Sequence, residues 1–439
     1  MPQAKAIVPP VGNYRWRILT LLFFALSINY FDRSILGVLA PTLFKLFDWT
    51  NKDYALINIS FKAAYALGLL TMGGIIDKIG TKKGFTLSIV IWSVFGMLHA
   101  TISKGFSVIG FAMARFGLGF GESGIFPASI KTVAEWFPKK ERALATGIFN
   151  AATSVGAILA PIIVGLVVAE DGKGWQIPFL ITGVLSAIWV FFWFKFYQKP
   201  ENHPHVSEAE ISHIHSDSVI ENEEKIPWAK VLPKRQTWAF ALTKILDAVW
   251  WFYLFWGAKF LFDQFHVDIK GLALPFIIIY VLADFGSVFG GWLSSKMIKT
   301  GLSINTARKR TLLICAIIIL PVVFVTKVEN KWLAITLIGL AAAGHQAWSA
   351  NVFTLASDVF PKKAVGSVVG IGGMIGALSG IIADFSLGSV LDNKGVEGYF
   401  WAFLIAGSLY LIVLGIVHLL MPDMTPLDEN LNEIKVEKI

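Results

Sequence analysis

Polar and apolar positions along the chain divide it into twelve apolar segments. Six lie at about 16–46, 53–76, 84–103, 106–136, 142–169 and 175–198, and six more at about 236–263, 271–298, 309–326, 331–358, 364–391 and 398–421. Each has roughly the 20 residues that a helix needs to cross a bilayer. Backbone polar groups in hydrocarbon must be satisfied within the segment, so each is predicted to be a helix. The two sets flank a polar stretch, KPENHPHVSEAEISHIHSDSVIENEEKIPWAKVLPK, at 199–234. It lacks a sustained apolar period and reads as a linker, with a surface helix around SEAEISHIH. The expected organisation is a six-helix bundle over 1–198, a linker over 199–234, a second bundle over 235–421 and a tail over 422–439. The first apolar run is too long for a signal-peptide core, and no small-residue cleavage site follows it.

A repeat relates the two sets. Residues 135–147 read EWFPKKERALATG and residues 358–370 read DVFPKKAVGSVVG, 223 positions apart. Each copy joins the fourth helix of its set to the fifth. Six helices per set is an even number, so both copies start on the same side of the membrane. The fold class that follows is an all-α membrane protein, twelve transmembrane helices in two parallel six-helix repeats. Such repeats around a central site are a transporter architecture.

Composition agrees. The chain of 439 residues is 55% apolar and only 15% charged, where a soluble chain is about a quarter charged. The net charge of +8 could suggest nucleic acid, but its distribution says otherwise. With the N-terminus placed inside, 24 of the 38 Lys and Arg fall in inside segments, as the positive-inside rule requires. Both termini are therefore expected to be cytoplasmic, and no nucleic-acid partner is expected. The single cysteine, Cys315, can form no intrachain disulfide. His203, His205, His213 and His215 lie in the linker, where a solvated segment is the plainer reading than a metal site. There is no phosphate-binding glycine loop, paired-cysteine spacing or nucleophile elbow, so no catalytic residue, metal or cofactor is expected.

The candidate chemistry lies in ionisable residues inside the apolar segments. A charge at a helix centre costs at least ~2.5 kcal/mol on insertion scales, so each needs a reason. The first half carries Asp32, Arg33, Lys62, Arg115 and Glu122, and the second carries Lys244, Asp247, His345 and Asp384. Arg33 suits a carboxylate through its planar fork, and Tyr30, three residues earlier, shares nearly the same face. In RFGLGFGESG, Arg115 and Glu122 are two turns apart on one face, among glycines that permit tight packing or bending. A carboxylate beside an arginine can switch between paired and protonated states; a static ion pair is the alternative. Lys244 is a second anion candidate, or else the partner of Asp247 one turn on. Trp250 and Trp251 offer rings for stacking on a sugar, or serve only as packing. Adding 223 to Glu122 gives His345, which binds substrate, titrates or is simply hydrogen bonded. Tyr65, Thr153, Gln346, Trp348 and Asn351 complete the polar and aromatic candidates. Lys62 and Asp384 have no assigned role.

The loop GGIIDKIGTKKG at 73–84 resembles the signature of the major facilitator superfamily, carried here by Gly73, Asp77, Gly80, Lys82 and Lys83. Gly73 and Gly74 are expected to admit a neighbouring helix, and Asp77 to accept from a helix N-terminus. GGWLSS at 290–295 with ARKR at 307–310 looks like a degraded second copy. Ser294 or Ser295 stands there in place of the acid, which predicts a weaker lock.

YRWRILTLLFFALSINYFDRSILG, RFGLGFGESGIFPASIKTVAEWFPKKERALATGIFN and AAAGHQAWSANVFTLASDVFPKKAVGSVVGIGGM narrow the likeness. They resemble the anion:cation symporter branch, and most of all bacterial hexuronate transporters. That resemblance implies import of glucuronate or galacturonate with protons as coupling ion, across the inner membrane, by a monomer. It implies that Arg33 binds the substrate carboxylate, that Asp32 and Glu122 carry protons with Arg115 as the glutamate's partner, and that Tyr65 and Lys244 line the site. Another organic anion such as galactonate or glucarate, exchange instead of symport, and a non-transporting anion sensor remain as alternatives.

Overall fold

The computed structural model describes residues 12–216 and 226–434. Lys5, Lys225, Lys435 and Lys438 of the charge count lie outside these residues, as do the side chains of Lys139, Lys140 and Lys362 from the repeat.

The first half opens with α1 (Tyr14–Phe47), α2 (Asn51–Ile79) and α3 (Thr81–Leu98). Thr50 and Asp53 form a reciprocal capping box that satisfies the exposed N–H groups where α2 begins. The predicted fourth helix is two, α4 (Ser107–Glu122) and α5 (Ile125–Trp136). The break falls immediately after Glu122, at Ser123 and Gly124. Two of the glycines before it let α4 wedge between its neighbours. A Cβ on Gly119 would lie 2.5 Å from Phe61 O of α2, and one on Gly121 would lie 2.6 Å from Trp92 N of α3. Next come α6 (Lys139–Val167) and α7 (Ile177–Phe196). The linker carries the expected surface helix, α8 (Glu208–Ile214), and a short α9 (Trp228–Val231).

The second half has α10 (Arg235–Thr243) and α11 (Asp247–Phe265), joined through a 3₁₀ turn, Lys244–Leu246, into one crossing. It continues with α12 (Ala273–Lys299), α13 (Ile304–Ile319), α14 (Lys331–Val359), α15 (Lys362–Lys394) and α16 (Gly398–Leu420). Among the described residues nine stretches are long and apolar enough to cross a membrane, the last of which, Lys363–Leu420, holds both α15 and α16. The two crossings outside that set, α4 with α5 and α14, are the repeat-related fourth and tenth helices. The break at Ser123 and Gly124 leaves α4 and α5 with 16 and 12 residues, each too short to cross alone, and α14 carries His345 and Gln346 near its middle. Large apolar side chains such as Leu166, Phe285, Val288 and Leu419 stand exposed on the outside, while charged ones are buried within. That is the arrangement expected where lipid is the solvent.

The halves meet at one end. Asp392 near the end of α15 accepts from Asn51 N and Lys52 N at the start of α2, at 2.8 and 3.1 Å. A Cβ on Gly388 would meet Ala55 Cβ at 2.7 Å. Tyr54 donates to Phe255 O of α11 at 2.5 Å. At mid-length Lys62 pairs with Asp384, and Ser154 of α6 donates to Asp284 of α12 at 2.6 Å. Among the described residues no side-chain hydrogen bond joins the two halves nearer the opposite end. There α2 and α15 part company: a Cβ on Gly73, Gly74, Gly366 or Gly373 would touch nothing within 4 Å. The bundle is closed at the end where α2 begins and open where it finishes.

Candidate functional site

Arg33 is the centre of the buried chemistry. Its Nε donates to Glu122 Oε2 at 2.7 Å, its Nη2 lies 2.7 Å from the same oxygen and donates a long 3.5 Å bond to Asn29 Oδ1, and both side chains are buried. Glu122 Oε1 has no hydrogen-bond partner among the described residues. Four rings enclose the guanidinium, with centroids from Cζ at 4.6 Å for Tyr30, 5.0 Å for Tyr65, 5.4 Å for Phe61 and 5.5 Å for Trp251. Three of these come from the first half and Trp251 from the second, so the cage is built across the interface. A guanidinium has five N–H donors, and the one bound carboxylate oxygen leaves donors over. The arrangement can take a second carboxylate, or exchange Glu122 for one.

Adjacent residues on a helix project about 100° apart, and Asp32 therefore does not join Arg33. Its Oδ1 accepts from Thr182 of α7 at 3.1 Å, and its Oδ2 lies against Gly96 of α3. Asp32 is buried inside the first bundle and points toward α3 and α7, away from Arg33. Arg115 also differs from the expected arrangement. Its seven-residue spacing from Glu122 puts it on the same face but about 10 Å away along the axis, too far to pair. The nearest polar contact of Arg115 is to Arg33 O, a long 3.5 Å, and its Nε and Nη2 have no partner among the described residues. It lies over Phe61 at 4.5 Å and Phe255 at 5.2 Å. Glu122 is thus held by the first helix rather than by its own.

Sequence reading missed one ion pair entirely. Lys62 Nζ lies 2.7 Å from Asp384 Oδ2, with both side chains at or below 3% exposure. Lys62 also donates to Gly380 O at 3.1 Å, and Trp256 Nε1 donates to Asp384 Oδ1 at 3.0 Å. The signal was there, two intramembrane charges of opposite sign, one in each half. Nothing in their 322-residue separation identifies them as partners.

In the second half Lys244 pairs with Asp247 at 2.7 Å across one helical turn and lies over Phe353 at 4.7 Å. Trp250 stacks on His345 at 5.6 Å and 11°, and meets Tyr280 edge-on. His345 Nδ1 is 2.6 Å from Tyr410 Oη, so this histidine is a hydrogen-bonded member of its own bundle. Trp348 is fully buried against Tyr410. Gln346 is half-buried, as is Thr153, whose hydroxyl turns back to Asn150 O at 2.8 Å.

Asn351, offered above as a substrate contact, belongs to the loop motif. It donates to Gly290 O at 3.1 Å and to Ala347 O at 2.9 Å, and accepts from Arg308 at 3.3 Å. Arg308 also bonds Ser294 at 2.8 Å and Asp358 at 2.9 Å. This second copy was expected to be the weaker lock. It is the more buried and the more fully bonded. Ser294 compensates for the missing acid by accepting from Arg308, while Asp358 supplies the charge. In the first copy Asp77 pairs with the Lys131 ammonium at 2.7 Å, a largely exposed bridge, in place of the expected helix N-terminus. No helix closes on Gly73 or Gly74, because both sit at the open end. Gly80 has φ of +85° at the turn from α2 into α3, a conformation that favours glycine. Lys82 donates to Phe194 O near the end of α7 at 3.0 Å, and Lys83 is exposed.

Comparison with known proteins supplies the family. Residues 22–383 match the Major Facilitator Superfamily. A hexuronate transporter of Escherichia coli (strain K12) is 30% identical over 397 residues, covering 89% of this chain and 90% of that protein. A probable galactarate/D-glucarate transporter of the same strain is 28% identical, covering 86% and 88%. Among solved structures, a bacterial homolog of the human lysosomal transporter Spinster, in an inward-facing and occupied conformation, superimposes with a TM-score of 0.75 at 16% identity. It covers 94% of this chain and 98% of that one. The twelve-helix fold, the two parallel repeats, the loop motif in both halves and these matches have one meaning: the chain is a multi-pass membrane protein that belongs to the Major Facilitator Superfamily of transporters.

Proposed function

We propose that this chain imports a sugar acid, a hexuronate such as glucuronate or galacturonate, together with protons, by alternating access and without a bound cofactor. One observation carries the reading: a buried arginine, ringed by aromatic side chains from both halves, whose fork meets a single carboxylate oxygen, that of Glu122. Protonation of Glu122 removes the competing charge and leaves the fork to the substrate carboxylate. Tyr30, Tyr65 and Trp251 flank that carboxylate and offer ring faces and polar edges to the sugar. Asp32, whose Oδ2 has no hydrogen-bond partner among the described residues, is the second proton site. Loaded with proton and substrate, the site is less charged than when empty, which favours the passage of the halves around it. The distribution of Lys and Arg supports cytoplasmic termini in a bacterial inner membrane. In that orientation the closed end faces outward and the protein is inward-facing. It acts as a monomer.

A second reading has its own support. A dicarboxylate such as galactarate needs two cations, and Lys244 supplies one from the second half, at present held by Asp247. The hexuronate reading needs only Arg33. Uptake of labelled galacturonate into liposomes holding the purified protein, with and without an inward proton gradient, tests the proposal. Accumulation that requires the gradient is the expected result. Galactarate uptake without galacturonate uptake replaces it with the second reading.

A further inference from the structure

Lys62 and Asp384 form the one buried ion pair that joins the two halves among the described residues. Its position along the path to Arg33 is informative. Lys62 precedes Tyr65 by three residues on nearly the same face of α2, about 4.5 Å nearer the closed end. The Trp251 ring lies 5.5 Å from Arg33 Cζ and 5.6 Å from Lys62 Nζ. Lys62 therefore lies outward of the caged arginine, with one indole between them. Farther out lie the contacts of Tyr54 with Phe255 O, of Ala55 with Gly388 and of Asn51 with Asp392.

Every polar partner of Lys62 Nζ belongs to α15: Asp384 Oδ2 and Gly380 O. The Trp251 and Phe255 rings beside it belong to α11, in the same half. When the halves part at this end, all of these leave together, while Lys62 stays on α2 beside Tyr65. An ammonium stripped of its counter-charge in a narrow vestibule takes up an anion.

We propose that Lys62 is the outer anion-binding site. It receives the carboxylate of the incoming sugar acid when the closed end opens, and it passes that carboxylate to Arg33. Asp384 is the chain's own carboxylate that takes its place as the end closes. Closure is then favoured only after the substrate has moved inward, because Asp384 and the substrate compete for one ammonium. This inference rests on the transport reading above.

The test is the concentration dependence of galacturonate uptake from outside into intact bacterial cells that express the full chain. Two double variants are compared with wild type. In one, Lys62→Gln with Asp384→Asn, a neutral hydrogen-bonded pair replaces the ion pair and keeps the packing. In the other, Lys62→Asp with Asp384→Lys, the ion pair is restored with its charges exchanged. The melting temperature of each purified protein checks its fold. The expected result is at least a tenfold rise in KM for both variants. The exchanged pair keeps the wild-type melting temperature, and Lys62→Arg keeps a near-normal KM. A purely structural bridge would behave differently, because exchanging the charges would bring KM back to the wild-type value; that result overturns the inference. So does an unchanged KM in the neutral pair. If folded wild-type protein takes up none of galacturonate, galactonate or glucarate, the transport reading fails and this inference with it.

Discussion

At the scale of single residues, two neighbours with opposite charges do different work because a helix turns between them. Asp32 and Arg33 are visible at once as charges where lipid-soluble residues belong, and the cost of burying each is enough to mark them as functional. Which way each points depends on helices that the local sequence does not contain. Arg33 meets Glu122 and an aromatic cage, and Asp32 meets Thr182 and Gly96. Replacing Arg33 by lysine keeps the charge but loses the fork. A charge-assisted hydrogen bond is worth about 1.5–3 kcal/mol, and KM for the sugar acid is therefore expected to rise about 10- to 100-fold in proteoliposome uptake. Glu122→Gln mimics the protonated glutamate and frees Arg33. Counterflow of labelled against unlabelled substrate should persist in this variant while gradient-driven accumulation is lost. Loss of both activities in a well-folded variant would show that Glu122 holds the site together and does not carry the proton.

At the scale of elements, the linker helix α8 shows how a short polar segment is fixed to a membrane bundle. Seven residues form no stable helix alone, yet α8 is capped by Ser207 and held by Glu210, which accepts from Arg15 N at 3.1 Å and pairs with its guanidinium at 3.3 Å. Arg15 also pairs with Glu141 at 2.9 Å, and His213 of α8 reaches the same carboxylate at 2.8 Å. Partial burial pushes the Glu141 carboxyl up, but the hydrogen bonds from His213 and Arg15 outweigh it and hold the group below the usual glutamate range. A depressed carboxylate contributes its stability above the unfolded-state value and loses it as pH falls through the folded one. Hydrogen exchange over residues 208–214 should therefore show protection near neutral pH that falls in acid below the ordinary glutamate range. Glu141→Gln should remove that pH dependence and lower protection at neutral pH. A pH-independent profile in the wild type would mean that burial of Ile214, not the ion network, docks the helix.

At the scale of the whole molecule, the decisive feature is that the two bundles touch at one end and separate at the other. Cysteines at Asn51 and Asp392, where backbone and carboxylate are 2.8 Å apart, are expected to cross-link on oxidation in a Cys315→Ser background. Uptake should stop and return on reduction, whereas a pair at Gly73 and Gly366 on the open end should not cross-link in this conformation. Efficient cross-linking of the second pair alone would reverse the assignment of closed and open ends. Apolar length, the 223-residue repeat and the excess of inside Lys and Arg were enough to read twelve helices, their pairing into parallel halves and the family signature in the loop. These are local or periodic properties, written wherever hydrocarbon thickness and helix period constrain composition. The partner of each buried charge was not legible in the same way. Glu122 pairs with Arg33 across 89 residues instead of with Arg115 on its own helix, Asn351 serves the loop motif instead of the cavity, and Lys62 finds Asp384 in the other half. Composition fixes that a charge in a membrane must be satisfied. Only the packing of helices against one another decides by whom, because an ion pair is chosen by distances of a few ångströms that sequence separation does not encode.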